Sequence, residues 1–130
     1  MALLKTRWAD YVRFCLSVDQ ENPLYTADHV GKVNAAVWDL SSPEIPDCIQ
    51  PGTVDIAVMV FVLSALRPGD EWERAMGNVF KMLKPGGMVL LRDYGRHDLA
   101  QMRIKGNRML DEDFYIRGDG TRVFFFDSGR

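Results

Sequence analysis

The sequence is short of several things. Cysteine and histidine occur twice each in 130 residues, as Cys15, Cys48, His29 and His97. No CxxC or other metal-ligand spacing joins them, which argues against a metal module of the usual spacings. Two thiols this far apart read as reduced side chains of an intracellular protein. No run approaches the roughly 20 apolar residues of a membrane-spanning helix. The start, "MALLKTRWADY", meets an aspartate early and has no signal-peptide core. These features set the expectation of a cytoplasmic protein, or one also present in the nucleus, with no membrane and no metal. A basic excess is missing as well: 16 Lys+Arg stand against 18 Asp+Glu, for a net charge of −2. That argues against a dedicated nucleic-acid module, though not against a local basic patch. Nor does any GxGxG or GxGxxG occur. Gly86-Gly87 and Gly118-Asp119-Gly120 lie in the wrong context for such a nucleotide-cradling loop.

What is present is enough apolar residue for a core, 47% of the chain, in a length suited to one domain. The stretch "ALLKTRWADYV" fits a helical face loosely and a short strand ending near Ala9-Asp10 about as well. "KVNAAVWDL" reads as a strand ending at Trp38-Asp39-Leu40, and "SSPEIPDCIQPGT" as a loop. "VDIAVMVFVLSAL" (54–66) is the most apolar run and reads as a strand buried on both faces. In "GDEWERAMGNVFKMLK", Trp72, Ala75, Met76, Val79, Phe80 and Leu83 recur at helical spacing, and Pro85-Gly86-Gly87 is the expected stop. "MVLLRDY" is the next buried strand. Strand, helix and strand make a βαβ unit, and open parallel sheets bind ligands beyond the carboxyl ends of their strands. Asp39-Leu40, Phe61 to Ser64 and Arg92-Asp93-Tyr94 occupy such ends. Further on, "RGDGTR" between "FYI" and "VFFF" reads as a hairpin turning at Asp119-Gly120.

These residues resemble the tRNA 3-methylcytidine methyltransferases of the methyltransferase-like family. The shared stretches are "NPLY" (22–25), Asp39-Leu40, "VDIAVMVFVLSAL", "LKPGGMVLLRDYGRHDLAQMR" (83–103) and "FYIRGDGTRVFFF" (114–126). "LKPGG" alone is common among class I methyltransferases. "FVLSA" followed by "LLRDYG" and "FYIRGDGTRVFFF" is specific. The resemblance implies an α/β fold: a partial Rossmann-like class I methyltransferase sheet, mostly parallel, with a C-terminal β-hairpin. It implies one partial domain over 1–130, with a divergent start (1–21), a family-like body (22–126) and a short tail.

It also implies S-adenosyl-L-methionine as cofactor and tRNA as partner, with a helper protein such as an aminoacyl-tRNA synthetase to select the tRNA. Asp10 would hold the cofactor's ribose hydroxyls, or is a surface or capping aspartate. Asp39 would accept from the adenine amine and Leu40 cover the ring; the other reading is an N-cap. Val60 and Phe61 would floor the pocket, or are plain core. Ser64 would be a pocket residue or a strand terminator. Arg92, Asp93, Tyr94 and Asp98 would face the entering base. Arg117, Asp119, Thr121 and Arg122 would contact phosphate or an extruded cytosine, or form a salt-bridge network between strand and hairpin. Arg103, with Lys105 and Arg108, would be a phosphate contact or a solvated face.

Methylation at cytosine N3 needs no general base, because the ring nitrogen already carries a lone pair. Positioning and tolerance of the resulting cation suffice, and Asp93 and Asp98 are the carboxylates available for the second task. "FVLS" lacks the Asn or Asp and prolines usual where exocyclic amines are methylated. In the class I sheet the first strand lies between the second and the fourth. Without a glycine loop, the chain is expected to start inside the second strand. "VDIAVMVFVLSAL" is then left without a partner along one edge, and a truncated chain inactive alone follows. Two alternatives stay open: a non-catalytic methyltransferase-like segment that binds a partner, and a class I methyltransferase acting on another substrate. "RDYG" and "RGDGTRVFFF" argue against the last.

Overall fold

A computed structural model describes residues 2–6, 12–14 and 38–127, with side chains over 38–127. Asp10, the "NPLY" stretch and the expected strand start at 32–37 lie outside the described residues.

Among the described residues, the larger sheet has four strands: β1 (Ala2–Thr6), β2 (Val12–Phe14), β3 (Val54–Val60) and β4 (Leu83–Arg92). Their spatial order is β2-β1-β3-β4. β3 pairs in parallel with β1 on one edge and β4 on the other, and β2 runs antiparallel to β1. The expected gap beside β3 is therefore corrected. Ala2 to Lys5 lie in register with Ala57 to Val60 and fill it. The physical reason is the cost of an open central ladder, about 1–3 kcal/mol for each buried unpaired backbone group. The nearby "ALLKT" can satisfy that ladder as a strand. It does not stand one place further out.

β3 is shorter than the apolar run that contains it. Phe61 takes φ 56°, and a 3-10 turn follows over Leu63–Ala65. Two-sided burial is corrected too. Ala57 and Met59 are fully buried, while Ile56, Val58 and Val60 are only half-buried. On β4, Met88 and Leu90, which lie beside Ile56 and Val58, are more than half exposed. Helix α1 (Asp70–Met82) supplies cover through Ala75, Val79 and Met82, which join the Ala57 and Met59 face in one cluster with Trp38, Leu40 and Leu66.

Helix α1 begins with Asp70, Glu71 and Glu73 and carries Lys81 in its last turn, charges that suit the two ends of the helix dipole. Asn78, buried in the same helix, donates from Nδ2 to the carbonyls of Leu40 (2.8 Å) and Ser42 (2.6 Å). It thereby pins the loop after Trp38 to the helix. Pro85-Gly86-Gly87 was expected to stop the helix, but the helix ends at Met82 and β4 already begins at Leu83. The three residues form a bulge inside the β3–β4 ladder, between the Val54–Leu83 and Ile56–Met88 pairs. A Cβ on Gly87 would lie 3.0–3.1 Å from three backbone carbonyl oxygens, so any larger residue would have to push the backbone aside by a few tenths of an ångström.

The second sheet is antiparallel, in the order β5 (Met109–Asp111), β6 (Phe114–Ile116) and β7 (Arg122–Phe124). β6 and β7 are the expected hairpin, with Gly120 at φ 83° in its turn; β5 was not expected. A short helix, α2 (Leu99–Met102), lies between the sheets in sequence. The sheets meet where Tyr94 accepts from the Phe126 amide (2.9 Å) and the Arg96 amide donates to Phe126 (2.7 Å).

Candidate functional site

The carboxyl ends of β3 and β4 lie side by side, with Val60 opposite Arg92. The Phe61 amide continues this ladder by donating to the Arg92 carbonyl at 2.8 Å. Its left-handed backbone is rare for a bulky residue and costs about 1–3 kcal/mol, so the surroundings must hold it. They do so through the ring. Phe61 stacks on Tyr94 with centroids 4.5 Å apart. The Arg92 guanidinium carbon lies 5.7 Å from the Phe61 centroid and that of Arg117 lies 4.7 Å from the Tyr94 centroid. Phe125 backs the cluster, touching Tyr94 and Tyr115. Five of the residues singled out in the sequence, Phe61, Arg92, Asp93, Tyr94 and Arg117, thus come together from β3, β4 and the hairpin.

Asp93 ties this site together. Its Oδ2 accepts from the Ser64 amide at 2.9 Å and its Oδ1 from the Tyr94 amide at 3.0 Å. Both carboxylate oxygens hold backbone. Ser64 itself is buried, 2% exposed. Asp98 is exposed and turns the chain after β4, accepting from the Gly95 amide at 2.8 Å. Asp39 makes a tight local turn, its Oδ1 accepting from the Ser41 amide (2.9 Å) and hydroxyl (2.8 Å). Leu40 beside it has no exposed surface and packs in the core.

The hairpin residues divide. Arg117 reaches the aromatic cluster. Asp119 and Thr121 close the turn: Oδ1 of Asp119 accepts from the Thr121 hydroxyl (2.7 Å) and amide (3.0 Å). The Thr121 hydroxyl above all, then the Thr121 amide, holds the Asp119 carboxyl below the ordinary carboxylate value. Arg122 points to helix α1, donating to Glu71 at 3.0 and 3.4 Å. The same Glu71 accepts from the Arg67 amide at 2.7 Å. Arg122 thus joins the hairpin to the helix, while Arg96, just past β4, pairs with Asp113 (3.4 Å) and Asp127 (3.5 Å) at the two ends of the hairpin. Arg103 is exposed beyond α2.

Sequence reading missed Glu71, and it missed Gln101, whose Nε2 approaches Asp113 Oδ1 (3.2 Å) and Tyr115 Oη (3.4 Å). Arg122 lies 51 positions from Glu71, and Asp113 and Tyr115 lie 12 and 14 positions from Gln101, in other elements, which no local pattern records.

A family model described as a methyltransferase domain matches residues 1–128. The chain belongs to the methyltransferase-domain family. Among similar proteins, the tRNA(Thr) (cytosine(32)-N(3))-methyltransferase of Saccharomyces cerevisiae is 54% identical over 110 residues, 83% of this chain and 16% of the relative. The tRNA N(3)-methylcytidine methyltransferase of Schizosaccharomyces pombe is 46% identical over 122 residues, 94% of this chain and 38% of the relative. The tRNA N(3)-cytidine methyltransferase METTL2B of Homo sapiens is 51% identical over 92 residues, 71% of this chain and 24% of the relative. The chain thus spans between 16% and 38% of the length of these relatives.

A methyltransferase domain in general uses S-adenosylmethionine, and the residues present fit parts of that molecule. An adenine amine needs an acceptor, and Asp39 Oδ2 carries no hydrogen bond among the described residues. A flat apolar group needs a plate, and half-buried Val60 and Phe61 end β3 beside the site. Leu40 fits as packing beneath Asp39, not as a ring cover.

Proposed function

We propose that this domain serves a tRNA methyltransferase that uses S-adenosylmethionine to form 3-methylcytidine, on a Rossmann-like class I sheet. Family membership and the named activities of relatives 46–54% identical support the chemistry. The structural observation that carries the proposal is the aromatic and guanidinium cluster of Phe61, Tyr94, Arg92 and Arg117 at two adjacent strand ends. Such a surface suits a nucleobase with its phosphate: guanidinium planes held over rings offer a stacking plane to a base and paired donors to phosphate oxygens.

Bound S-adenosylmethionine supplies a methyl group activated by its sulfonium. Asp39 would accept from the adenine amine, Val60 and Phe61 would floor the pocket, and Asp10 would hold the ribose hydroxyls. Ser64, fixed by Asp93, keeps the turn after β3 in place. Cytosine N3 needs no deprotonation, so the work of this chain is alignment. Methylation leaves a cation on the base, and the fixed negative charges of Asp93 and Asp98 would stabilise it. Arg92 and Arg117 would meet phosphate. A net charge of −2 gives little general pull on RNA. Choice among tRNAs then falls to other segments or to a helper protein such as an aminoacyl-tRNA synthetase.

One observation favours a second, non-catalytic reading: no GxGxG or GxGxxG occurs in the 130 residues. Calorimetric titration with S-adenosylmethionine separates the two. Saturable binding, followed by 3-methylcytidine in nucleoside digests of treated tRNA, supports the enzyme. No heat and no modified nucleoside would leave the non-catalytic reading.

A further inference from the structure

Residues 99 to 113 form an unusual surface. Leu99, Met102, Met109 and Leu110 are 69%, 75%, 59% and 53% exposed. Arg103 and Lys105 stand exposed between them and make no ion pair among the described residues. Directly after this apolar and basic stretch comes a cleft of about 430 Å³. Trp72, Phe124 and Phe126 wall it, and Asp111, Glu112 and Asp113 rim it. Its walls are fixed, because Trp72 stacks on Phe126 at 5.2 Å and meets Phe124 edge-on at 4.9 Å. No lysine or arginine lines it among the described residues. Arg96 meets Asp113 at 3.4 Å and Asp127 at 3.5 Å, but Asp111 and Glu112 make no ion pair among the described residues.

The chain therefore carries a cleft with aromatic walls whose Asp111 and Glu112 are unpaired among the described residues, and directly before it in sequence an unpaired basic stretch with apolar flanks. Phosphate is repelled from such a cleft, while a cationic side chain with an apolar stem fits both its wall and its rim. The chain holds that complement on its own surface, a few residues away. Adjacent, mutually complementary patches are what a two-fold interface needs, since each copy then offers what the other lacks. We propose that this face is a self-complementary interface. The stretch 99–110 of one copy lies on the Asp111–Glu112 cleft of a second copy, and the reverse contact forms across the axis.

Sedimentation equilibrium of the full 130-residue chain tests this with paired charge swaps. One variant is D111K/E112K, the other R103E/K105E. The unmodified chain is expected to dimerise. Each variant alone is expected to be monomeric, because like charges then meet twice across the axis. An equimolar mixture of the two is expected to recover the dimer, since both contacts become complementary again. Recovery also shows that both variants are folded. A measurement without variants stands beside it. Raising salt from about 0.1 M to about 1 M shortens the screening length from about 10 Å to about 3 Å, and should weaken the dimer about tenfold or more. An unmodified chain that stays monomeric, a dimer indifferent to the swaps or to salt, or folded variants whose mixture stays monomeric would overturn the proposal.

Discussion

Ser64 and Asp93 lie 29 residues apart in sequence and are joined by a 2.9 Å hydrogen bond from the Ser64 amide to the Asp93 carboxylate. The other oxygen of the same carboxylate takes the Tyr94 amide. One side chain thus locks the turn after β3 to the end of β4, and places Tyr94 where Phe61 can stack on it. Asp93→Ala frees two amides, one of them on the buried Ser64, and each lost bond of this kind costs about 1–3 kcal/mol. Asp93→Asn keeps one acceptor and should lose about half as much. Urea unfolding midpoints of both variants check the order. Equal midpoints for the two variants would show that the second hydrogen bond contributes nothing.

Tyr94 is stacked between partners of different kinds, the Phe61 ring and the Arg117 guanidinium. Tyr94→Phe keeps both contacts and should leave stability nearly unchanged. Tyr94→Leu loses them and should cost about 0.5–1.5 kcal/mol for the aromatic pair alone. If the cluster seats the base, Tyr94→Leu also weakens tRNA binding in a filter assay. Arg117→Lys should weaken it as well, because an ammonium keeps the charge but not the planar stack.

The pairing of β1 with β3 is tested by Leu4→Pro. Leu4 lies in register with Met59 on one side and Phe14 on the other, so its amide faces a neighbouring strand either way. Proline removes that donor and does not fit a central strand. Hydrogen exchange should then rise at the β3 amides, and an exposed apolar ladder should raise aggregation. Unchanged protection of Ala57 to Val60 would mean that β1 contributes little to holding β3.

Two carboxylates give the same direction of pH dependence from different causes. Asp55 is held below the ordinary carboxylate value first by the hydrogen bond from Lys84, whose Nζ lies 2.7 Å from Oδ1, and then by the Lys84 charge. Asp119 is lowered first by the Thr121 hydroxyl. Both values are depressed in the folded chain. Their stabilising contribution is therefore fully present above the ordinary carboxylate pKa of about 3.9, and it is lost as pH falls through the lowered value. Lys84→Met should return the Asp55 titration toward ordinary in a carboxyl NMR experiment with little change in melting, because the pair is solvent-exposed. Thr121→Val should return Asp119 toward ordinary and loosen the hairpin turn as well.

Much of the βαβ unit was legible because its signals are local. Helical spacing picked out Ala75 and Val79 on the buried face of α1, though Met76 and Phe80, named by the same spacing, are exposed and buried Met82 was missed; the apolar runs marked β3 and β4. Asp119-Gly120 announced the hairpin turn. The strand ends that meet at the candidate site could be named for the same reason. Less legible was where each charged side chain would be spent. Arg122 could equally have faced RNA, and its partner, Glu71, lies on a helix 51 positions earlier. Asp93 and Asp98 looked like free carboxylates, yet both accept backbone amides.

The sequence by itself determined which segments are helix and strand in the middle of this protein, since periodicity, glycine and the hairpin turn act over a few residues. Only the tertiary structure decided that β1 fills the place beside β3, and that helix α1 covers one face of the sheet while Met88 and Leu90 stay exposed on the other. It alone gathered Phe61, Tyr94, Arg92 and Arg117 at one site. Those outcomes depend on satisfying an open ladder and on contacts between distant segments, and such energies are set by three-dimensional neighbours that no short stretch of chain contains.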